Sequence, residues 1–139
     1  MISKVLVPMD DSDMAQKALE FALEAHPEAD ITVLHVVGEP SLFFGEAVGL
    51  ALADQIEEVA KERASAVFDR AREIAGEHGA EIETQYAFGQ PARAIVRRSE
   101  NYDVVIMGSH GRDLRSRILM GNIARRVSRR SPVPVTIVR

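Results

Sequence analysis

The sequence predicts an α/β fold, a three-layer, doubly wound sheet of five parallel strands with helices on both faces. Apolar runs of strand length alternate with segments of helical periodicity in the order β-α-β-α-β-α-β-α-β, and this alternation is typical of parallel sheets. Two of the runs, residues 31–37 and 103–107, are almost continuously apolar, as are strands buried on both faces. The length of 139 residues suits one domain over residues 1–139.

The first third of the chain predicts a strand, a helix and a second strand. Residues 2–8 are β-like and end in proline. Several N-cap candidates follow in residues 10–13, and Ala and Leu at helical spacing then predict a helix to about Ala25. Residues 31–37 form the second strand, and residues 41–49 predict an irregular loop.

The middle third predicts a long helix and an edge strand. The helix begins near Leu50 and ends at Gly76 and Gly79. Its buried stripe is expected to comprise Ile56, Val59, Ala60, Val67, Ala71 and Ile74. Residues 80–88 alternate polar and apolar side chains, so we expect a less buried strand near an edge of the sheet.

The last third predicts two more pairs of helix and strand. A helix begins at Pro91, which suits the first helical position, and residues 103–107 form a central strand. After a loop over residues 108–120, residues 122–130 form the last helix and residues 135–138 the last strand. The helical side chains expected to face the core are Ala92, Ile95, Val96, Ile123, Ala124 and Val127.

The expected strand order, 3-2-1-4-5, locates the functional site. In this order the chain reverses its direction across the sheet between strands one and four, and ligands bind beyond the carboxyl ends of those two strands. The two loops placed there are residues 9–13 and residues 108–122. We therefore expect the site to be built from these loops.

Composition excludes several classes of function. The chain contains no Cys, which excludes thiol catalysis, thiolate metal sites and disulfide scaffolds. No apolar run approaches the length of a membrane span, and the first residues do not resemble a signal peptide, so we expect a cytoplasmic protein. The four His residues show no metal-ligand spacing, and His35, within an apolar strand, is expected to be a hydrogen-bonded core residue.

Charge is distributed unevenly along the chain. Residues 1–107 carry 9 basic and 20 acidic side chains, whereas residues 108–139 carry 8 Arg and one acid, Asp113. An Arg-rich segment can face an anion, although charge alone favours the simpler interpretation of a solvated cationic surface.

A glycine pattern in the second loop is compatible with an anion site. Gly108 and Gly111 follow the fourth strand, and Gly121 precedes the last helix. Glycines admit a close backbone approach and a positive φ, and a helix N-terminus presents unpaired N–H groups to an anion. The arginines within or just beyond this span, which would strengthen such a site, are Arg112, Arg115, Arg117, Arg125 and Arg126. A turn and a helix cap would explain the same glycines, so their spacing alone does not distinguish these structural roles from an anion site. The P-loop and dinucleotide signatures are absent.

The same glycines resemble a family signature. The segment Gly108-x-x-Gly111-x9-Gly121 is similar to the G-x-x-G-x9-G-[ST] pattern of the universal stress protein family. Other segments that resemble the family are residues 5–10, Ser12, residues 34–37, residues 104–111 and residues 131–135. The resemblance therefore spans the whole chain.

The resemblance implies a Rossmann-like or flavodoxin-like fold of the adenine nucleotide alpha hydrolase-like type, and a homodimer. One branch of the family binds ATP through this signature, so the three glycines imply ATP, with AMP or ADP as alternatives, and Mg²⁺ bridging the phosphates. Asn122 stands where the family has Ser or Thr, which is expected to lower the affinity. Asn still caps a helix well, and its amide can donate to a phosphate oxygen.

Individual site residues are also implied by the resemblance. Asp10 is expected near adenine or ribose, and Val36 is expected to offer backbone groups to the adenine edge. Residues 107, 108 and 111 would line the ribose and α-phosphate, and residues 121–123 would hold the outer phosphates. The complete expected set is Pro8, Met9, Asp10, Val36, Met107, Gly108, His110, Gly111, Arg112, Gly121, Asn122 and Ile123. No catalytic residue or protein ligand to a metal is identified.

Two functional classes remain open. In the first, the protein is an ATP-binding stress-response switch and at most a slow ATPase, because no evident general base accompanies the phosphates. In the second, it is a dimeric interaction module without a functional nucleotide site. A receiver domain and a serine hydrolase are rejected, because the phospho-acceptor Asp, the late Lys and the G-x-S-x-G motif are absent.

The last strand predicts self-association. Residues 133–139 lie at an edge of the expected sheet and contain no Lys and no mid-strand charge, so their unpaired backbone groups invite a second copy. We expect a homodimer through this strand. Nucleic acid is not expected as a partner, because arginines late in the last helix also complement its C-terminal dipole and few aromatic residues are available for stacking.

Overall fold

The computed structural model of the chain describes residues 1–38, 53–110 and 120–139. Within them, five parallel strands form one sheet in the order β3-β2-β1-β4-β5, with helices packed on both faces, which confirms the predicted fold. The strands are β1 (Lys4–Pro8), β2 (Asp30–Val37), β3 (Glu83–Phe88), β4 (Val104–Gly108) and β5 (Val135–Val138). The helices are α1 (Asp13–Ala25), α2 (Ala53–Glu77), α3 (Pro91–Ser99) and α4 (Asn122–Arg130). The predicted loop over residues 41–49 lies outside the described residues.

The central strand β1 shows why its sequence is apolar throughout. Val5 and Val7 pack with α1 and α2, whereas Leu6 packs with α3 and α4. Successive side chains of a strand alternate between the two faces of the sheet, and all three of these side chains are fully buried. Both faces of the sheet are therefore core, which is the arrangement that continuous apolar runs indicate.

Specific capping bonds define two of the helix ends. Ser12 is the N-cap of α1, and its Oγ accepts a hydrogen bond from the N–H of Ala15 at 3.2 Å. Beyond the end of α2, Gly79 adopts a φ of 65°, and the N–H of Ala80 donates to the carbonyl of Ala75 at 2.9 Å. These are the marks of a Schellman motif, in which glycine supplies the left-handed residue. The prediction that Gly79 marks the end of this helix is confirmed, whereas Gly76 lies within the helix, which runs to Glu77.

Three strands begin later than predicted, and one predicted core residue is exposed. β1 begins at Lys4, β3 at Glu83 and β4 at Val104. Val59 is 48% exposed, so its assignment to the buried stripe of α2 is wrong. With 25 residues, α2 is about 37 Å long, whereas the six to eight residues of β3 and β2 span only about 20–26 Å. The helix is thus longer than the strands it covers, and its side chains cannot all reach the core. The side chain of Ile56 lies outside the described residues.

Candidate functional site

A cleft of about 700 Å³ opens beyond the carboxyl ends of β1, β2 and β4. It lies where the strand order turns from β2-β1 to β4-β5, because the chain segments that follow β1 and β4 leave toward opposite faces of the sheet. Strand ends and their loops contribute Pro8, Met9, Asp10, Ser12, Leu34, His35, Val36, Met107, Gly108 and His110. Helices and the segment that leads into α4 contribute Ala15, Pro91, Ile95, Met120, Gly121, Asn122, Ile123, Ala124 and Arg125.

Every described residue of the expected site lies on this cleft. These residues are Pro8, Met9, Asp10, Val36, Met107, Gly108, His110, Gly121, Asn122 and Ile123. Gly111 and Arg112, which were expected beside them, lie outside the described residues. The separate prediction that Ile123 faces the core is wrong, since this side chain is 43% exposed and borders the cleft.

The N-terminus of α4 points its first turn at the cleft. Gly121 is the N-cap, with φ of −65° and ψ of 162°, and no side chain of the described residues caps the helix. The residues of the first turn, Asn122 to Ala124, all line the cleft. Asn122 is the first helical residue, as the predicted helix over residues 122–130 has it, so its side chain does not serve as the cap. An uncapped helix start with its positive dipole end favours an anion at this position.

Chain packing favours glycine at both described signature positions. A Cβ on Gly108 would lie 2.7 Å from Met14 Cγ, and a Cβ on Gly121 would lie 3.2 Å from the Cα of His110. The N–H of Gly121 also donates to the carbonyl of Ser109 at 2.6 Å. Neither glycine has a positive φ, so that part of the expectation is wrong. The glycines let α1 and α4 approach the end of β4, which shapes the cleft.

Asp10 combines a turn role with a position in the cleft. Its Oδ1 accepts a hydrogen bond from the N–H of Ser12 at 2.9 Å, an Asx turn that leads into α1. Among the described residues that line the cleft, Asp10 provides the one carboxylate. Its turn role and its site position are therefore compatible.

Two histidines border the cleft with their Nδ1 atoms already engaged. His35 Nδ1 lies 2.8 Å from the carbonyl oxygen of Met9, and because a carbonyl only accepts, Nδ1 carries the proton. The ring centroids of His35 and Phe68 lie 6.5 Å apart in an edge-to-face arrangement. His35 is hydrogen-bonded as predicted, but it is only half-buried and so is not the core residue that was expected. His110 Nδ1 lies 2.9 Å from the Oγ of Ser109, which is buried.

Sequence reasoning missed the apolar wall of the cleft, whereas it expected Arg125 beside the anion site. Pro91 and Ile95 of α3 and Leu34 of β2 line the cleft, and Ile95 and Leu34 are almost fully buried. Arg125, one turn after Gly121, lies at the α4 end. Helix α3 comes to the site only through tertiary packing, which sequence spacing does not indicate. An apolar slot that ends at a cationic helix start suits a ligand with a flat base and an anionic tail.

Two kinds of feature are absent from the part of the chain that the structure describes. No group of three or more His, Asp or Glu side chains there could hold a metal ion. Within the same ranges, no helix has the length and apolarity that crossing a membrane requires.

Comparisons with known proteins agree on one family. The model of the universal stress protein family matches residues 1–139. The universal stress protein YxiE of Bacillus subtilis (strain 168) is 32% identical over 114 residues, which are 77% of this chain and 77% of that protein. The structure of the universal stress protein UspA from Lactobacillus plantarum is similar with a TM-score of 0.83 and 24% identity, over 99% of this chain and 98% of that chain. A universal stress protein solved in complex with cAMP has a TM-score of 0.72 and 25% identity, over 99% and 97% of the two chains.

Proposed function

Because the chain belongs to the universal stress protein family, we propose that it is an adenine-nucleotide-binding switch of the stress response and that ATP is its ligand. The observation that carries this proposal is the uncapped N-terminus of α4 on a cleft of about 700 Å³. The relative solved with cAMP supports an adenine nucleotide. AMP and ADP are the alternatives within the same class.

The two ends of the cleft suit the two ends of ATP. The adenine would lie in the apolar slot between Ile95 and Val36, where a flat, poorly hydrated ring replaces water. The phosphates would lie at the first turn of α4, where backbone N–H groups and the guanidinium of Arg125 provide donors and positive charge. Asp10, at the end of β1, would face the ribose or adenine between them.

Mg²⁺ would be held mainly by the phosphates themselves. Within the described residues of the cleft the carboxylate of Asp10 is the one hard anionic ligand, whereas Mg²⁺ usually takes one or two carboxylates together with phosphate oxygens and water. This donor set suits a metal that arrives with the nucleotide. We propose slow hydrolysis or none, because the one carboxylate among the described cleft residues, Asp10, would face the ribose or adenine and not the phosphates.

Arg125 tests the placement of the phosphates. We expect Arg125→Gln to weaken ATP binding about tenfold or more, because one charge-assisted hydrogen bond to phosphate is worth about 1.5–3 kcal/mol, and to weaken AMP binding much less. The matched control is Arg126→Gln, since Arg126 is the exposed neighbour on the same helix and does not line the cleft. Isothermal titration calorimetry of the three proteins with ATP and AMP measures both effects.

Three outcomes would count against the proposal. Equal losses in the two variants would indicate a general charge effect, and unchanged ATP binding by Arg125→Gln would move the phosphates elsewhere. No binding of any adenine nucleotide by the wild type, together with none in mass spectra of the gently purified protein, would leave the interaction module as the function. Substitution of Gly121 is a poor test, because a Cβ there would also press on the backbone of Ser109 and His110.

We also propose that two chains pair through β5. This strand ends the sheet on one side, its four residues are only partly buried, and Ile137 and Val135 contribute to the core below. A free edge of this kind is normally covered, and the cover proposed is a second copy in antiparallel orientation. We expect the dimer to act in the cytoplasm.

A further inference from the structure

Helices α3 and α4 form one outer layer of the molecule, and it is strongly cationic. Together the two helices carry seven Arg and no Asp or Glu. The seven residues, called the arginine face below, are Arg93, Arg97, Arg98, Arg125, Arg126, Arg129 and Arg130. All except Arg98 are exposed.

The opposite layer has the opposite charge. Helices α1 and α2 carry ten acidic and five basic side chains. Charge is therefore separated across the sheet, although the whole chain has a formal net charge of −4. A separation of this kind orients the protein toward a charged partner.

The arginines of this face are not used inside the described structure. The ion pairs there lie within α2 or join His78 to Glu24, and none involves the arginine face. Arg98 alone has a side-chain partner, since it donates to the Oε1 of Gln85 at 2.6 Å. The other six have no such partner among the described residues. Five of them lie away from the cleft, so their donors are available to an external anion other than the nucleotide.

Helix stability does not explain this pattern. Three pairs stand at i,i+4 spacing, namely 93/97, 125/129 and 126/130, and like charges at this spacing destabilise a helix. Arg97, Arg98, Arg129 and Arg130 lie in last turns, where a cation complements the dipole. Arg93 and Arg125 lie near the helix starts, where a cation is unfavourable. An external anion would relieve both the repulsion and the unfavourable dipole contact.

We propose that the arginine face binds the phosphate backbone of double-stranded nucleic acid without sequence preference. Guanidinium groups form bidentate bonds with phosphate, and duplex binding of this kind needs no aromatic side chain. The two helices contain no aromatic residue, and their one large exposed hydrophobic side chain, Ile123, borders the cleft. This composition argues against base stacking, membrane insertion and an apolar protein interface. The expectation of no nucleic-acid partner considered α4 without α3.

The proposed dimer would extend this surface. Antiparallel pairing of two β5 strands in one continuous sheet places the two-fold axis perpendicular to the sheet. The arginine faces of both copies then lie on the same side, so that a duplex could contact them together.

The test is fluorescence anisotropy of a labelled, mixed-sequence DNA duplex of about 20 base pairs, titrated with the full chain at several salt concentrations. The variant is Arg126→Gln/Arg129→Gln, which removes one partner from each i,i+4 pair of α4 and no residue of the cleft. The control is Lys17→Gln/Arg63→Gln, two exposed cations on the opposite layer with the same change in net charge. Wild type and control should show the same steep salt dependence, and the slope of log K against log salt should fall by about 2 in the variant.

Thermal melting checks the fold of the variant, which should melt close to wild type, because the loss of two like-charge contacts offsets the loss of the favourable dipole contact of Arg129. Absence of duplex binding at low salt, or equal salt slopes in variant and control, would overturn the proposal. So would tighter binding to a single strand of equal length, to phosphatidylserine vesicles or to poly-glutamate. Duplex binding whose slope falls in the variant alone would support it.

Discussion

At the scale of single residues, Gly108 and Gly121 of the family signature take part in close contacts within the chain that their sequence spacing could not indicate. Gly108 faces the side chain and backbone of Met14, and Gly121 faces the backbone of Ser109 and His110. The close approach that glycine allows is thus made by neighbouring segments of the same chain. Any nucleotide would benefit indirectly, because these contacts bring the start of α4 to the end of β4.

Asn122 is the residue whose identity departs from the family pattern, and its side chain can be tested directly. We expect Asn122→Ser to tighten ATP binding by about 1 kcal/mol, the typical contribution of one neutral hydrogen bond, because a hydroxyl at the first helical position would reach a phosphate. Calorimetry measures the change, and Asn122→Ala, which offers no donor, should show no gain. Weaker binding by the Ser variant would indicate that Asn is suited to another ligand.

At the scale of elements, the carboxylate of Asp103 ties the start of β1 to the start of β4. Its Oδ2 accepts hydrogen bonds from the N–H of Ser3 at 2.9 Å, the hydroxyl of Ser3 at 3.0 Å and the N–H of Lys4 at 2.9 Å. These bonds, that from the N–H of Ser3 foremost, lower the pKa of Asp103. The side chain thus holds two neighbouring strands together at their amino-terminal ends, opposite the cleft.

This tie predicts a pH-dependent stability. A lowered pKa means that the folded chain favours the charged form, so the stabilisation is present above the ordinary carboxyl pKa of about 3.9 and is lost as the pH falls through the lower folded value. We expect Asp103→Asn to melt a few degrees below wild type at neutral pH, with the difference shrinking in acid. Asp30→Asn, at the start of β2, is the control and should melt close to wild type at every pH. A difference for Asp103→Asn that stays constant down to pH values well below 3.9 would contradict the role of its charge.

At the scale of the whole molecule, the backbone hydrogen bonds of β5 show which of its backbone groups face outward. The carbonyls of Pro134 and Val138 accept bonds from β4 and the residue after it. Because backbone groups alternate in direction along a strand, the N–H and carbonyl of Ile137 point away from β4. They are free to pair with a second copy.

Ile137→Pro therefore removes an outward donor and should turn the proposed dimer into a monomer, as measured by light scattering. Ile137→Ala also loses the side chain that packs on the core but keeps the N–H, so it should remain dimeric. A folded Ile137→Pro variant that keeps the mass of a dimer would place the interface elsewhere.

The sequence by itself determined the order of the elements, the strand order and most residues of the cleft. Alternating periodicity distinguishes strands from helices, and the carboxyl ends of parallel strands meet at one edge wherever the chain reverses across the sheet. Residues next to strand ends, such as Asp10 and Gly108, could be located in this way because their position follows from local pattern and topology alone.

Features that depend on contacts between distant segments of the chain were decided by the tertiary structure alone. Ile95 reaches the cleft because α3 packs across β2, Gly108 is favoured because Met14 lies against it, and Val59 is exposed because α2 is longer than the strands beneath it. The gathering of seven arginines on one layer has the same origin. Helices α3 and α4 are separated in sequence by β4 and its loop, and only the fold places them side by side.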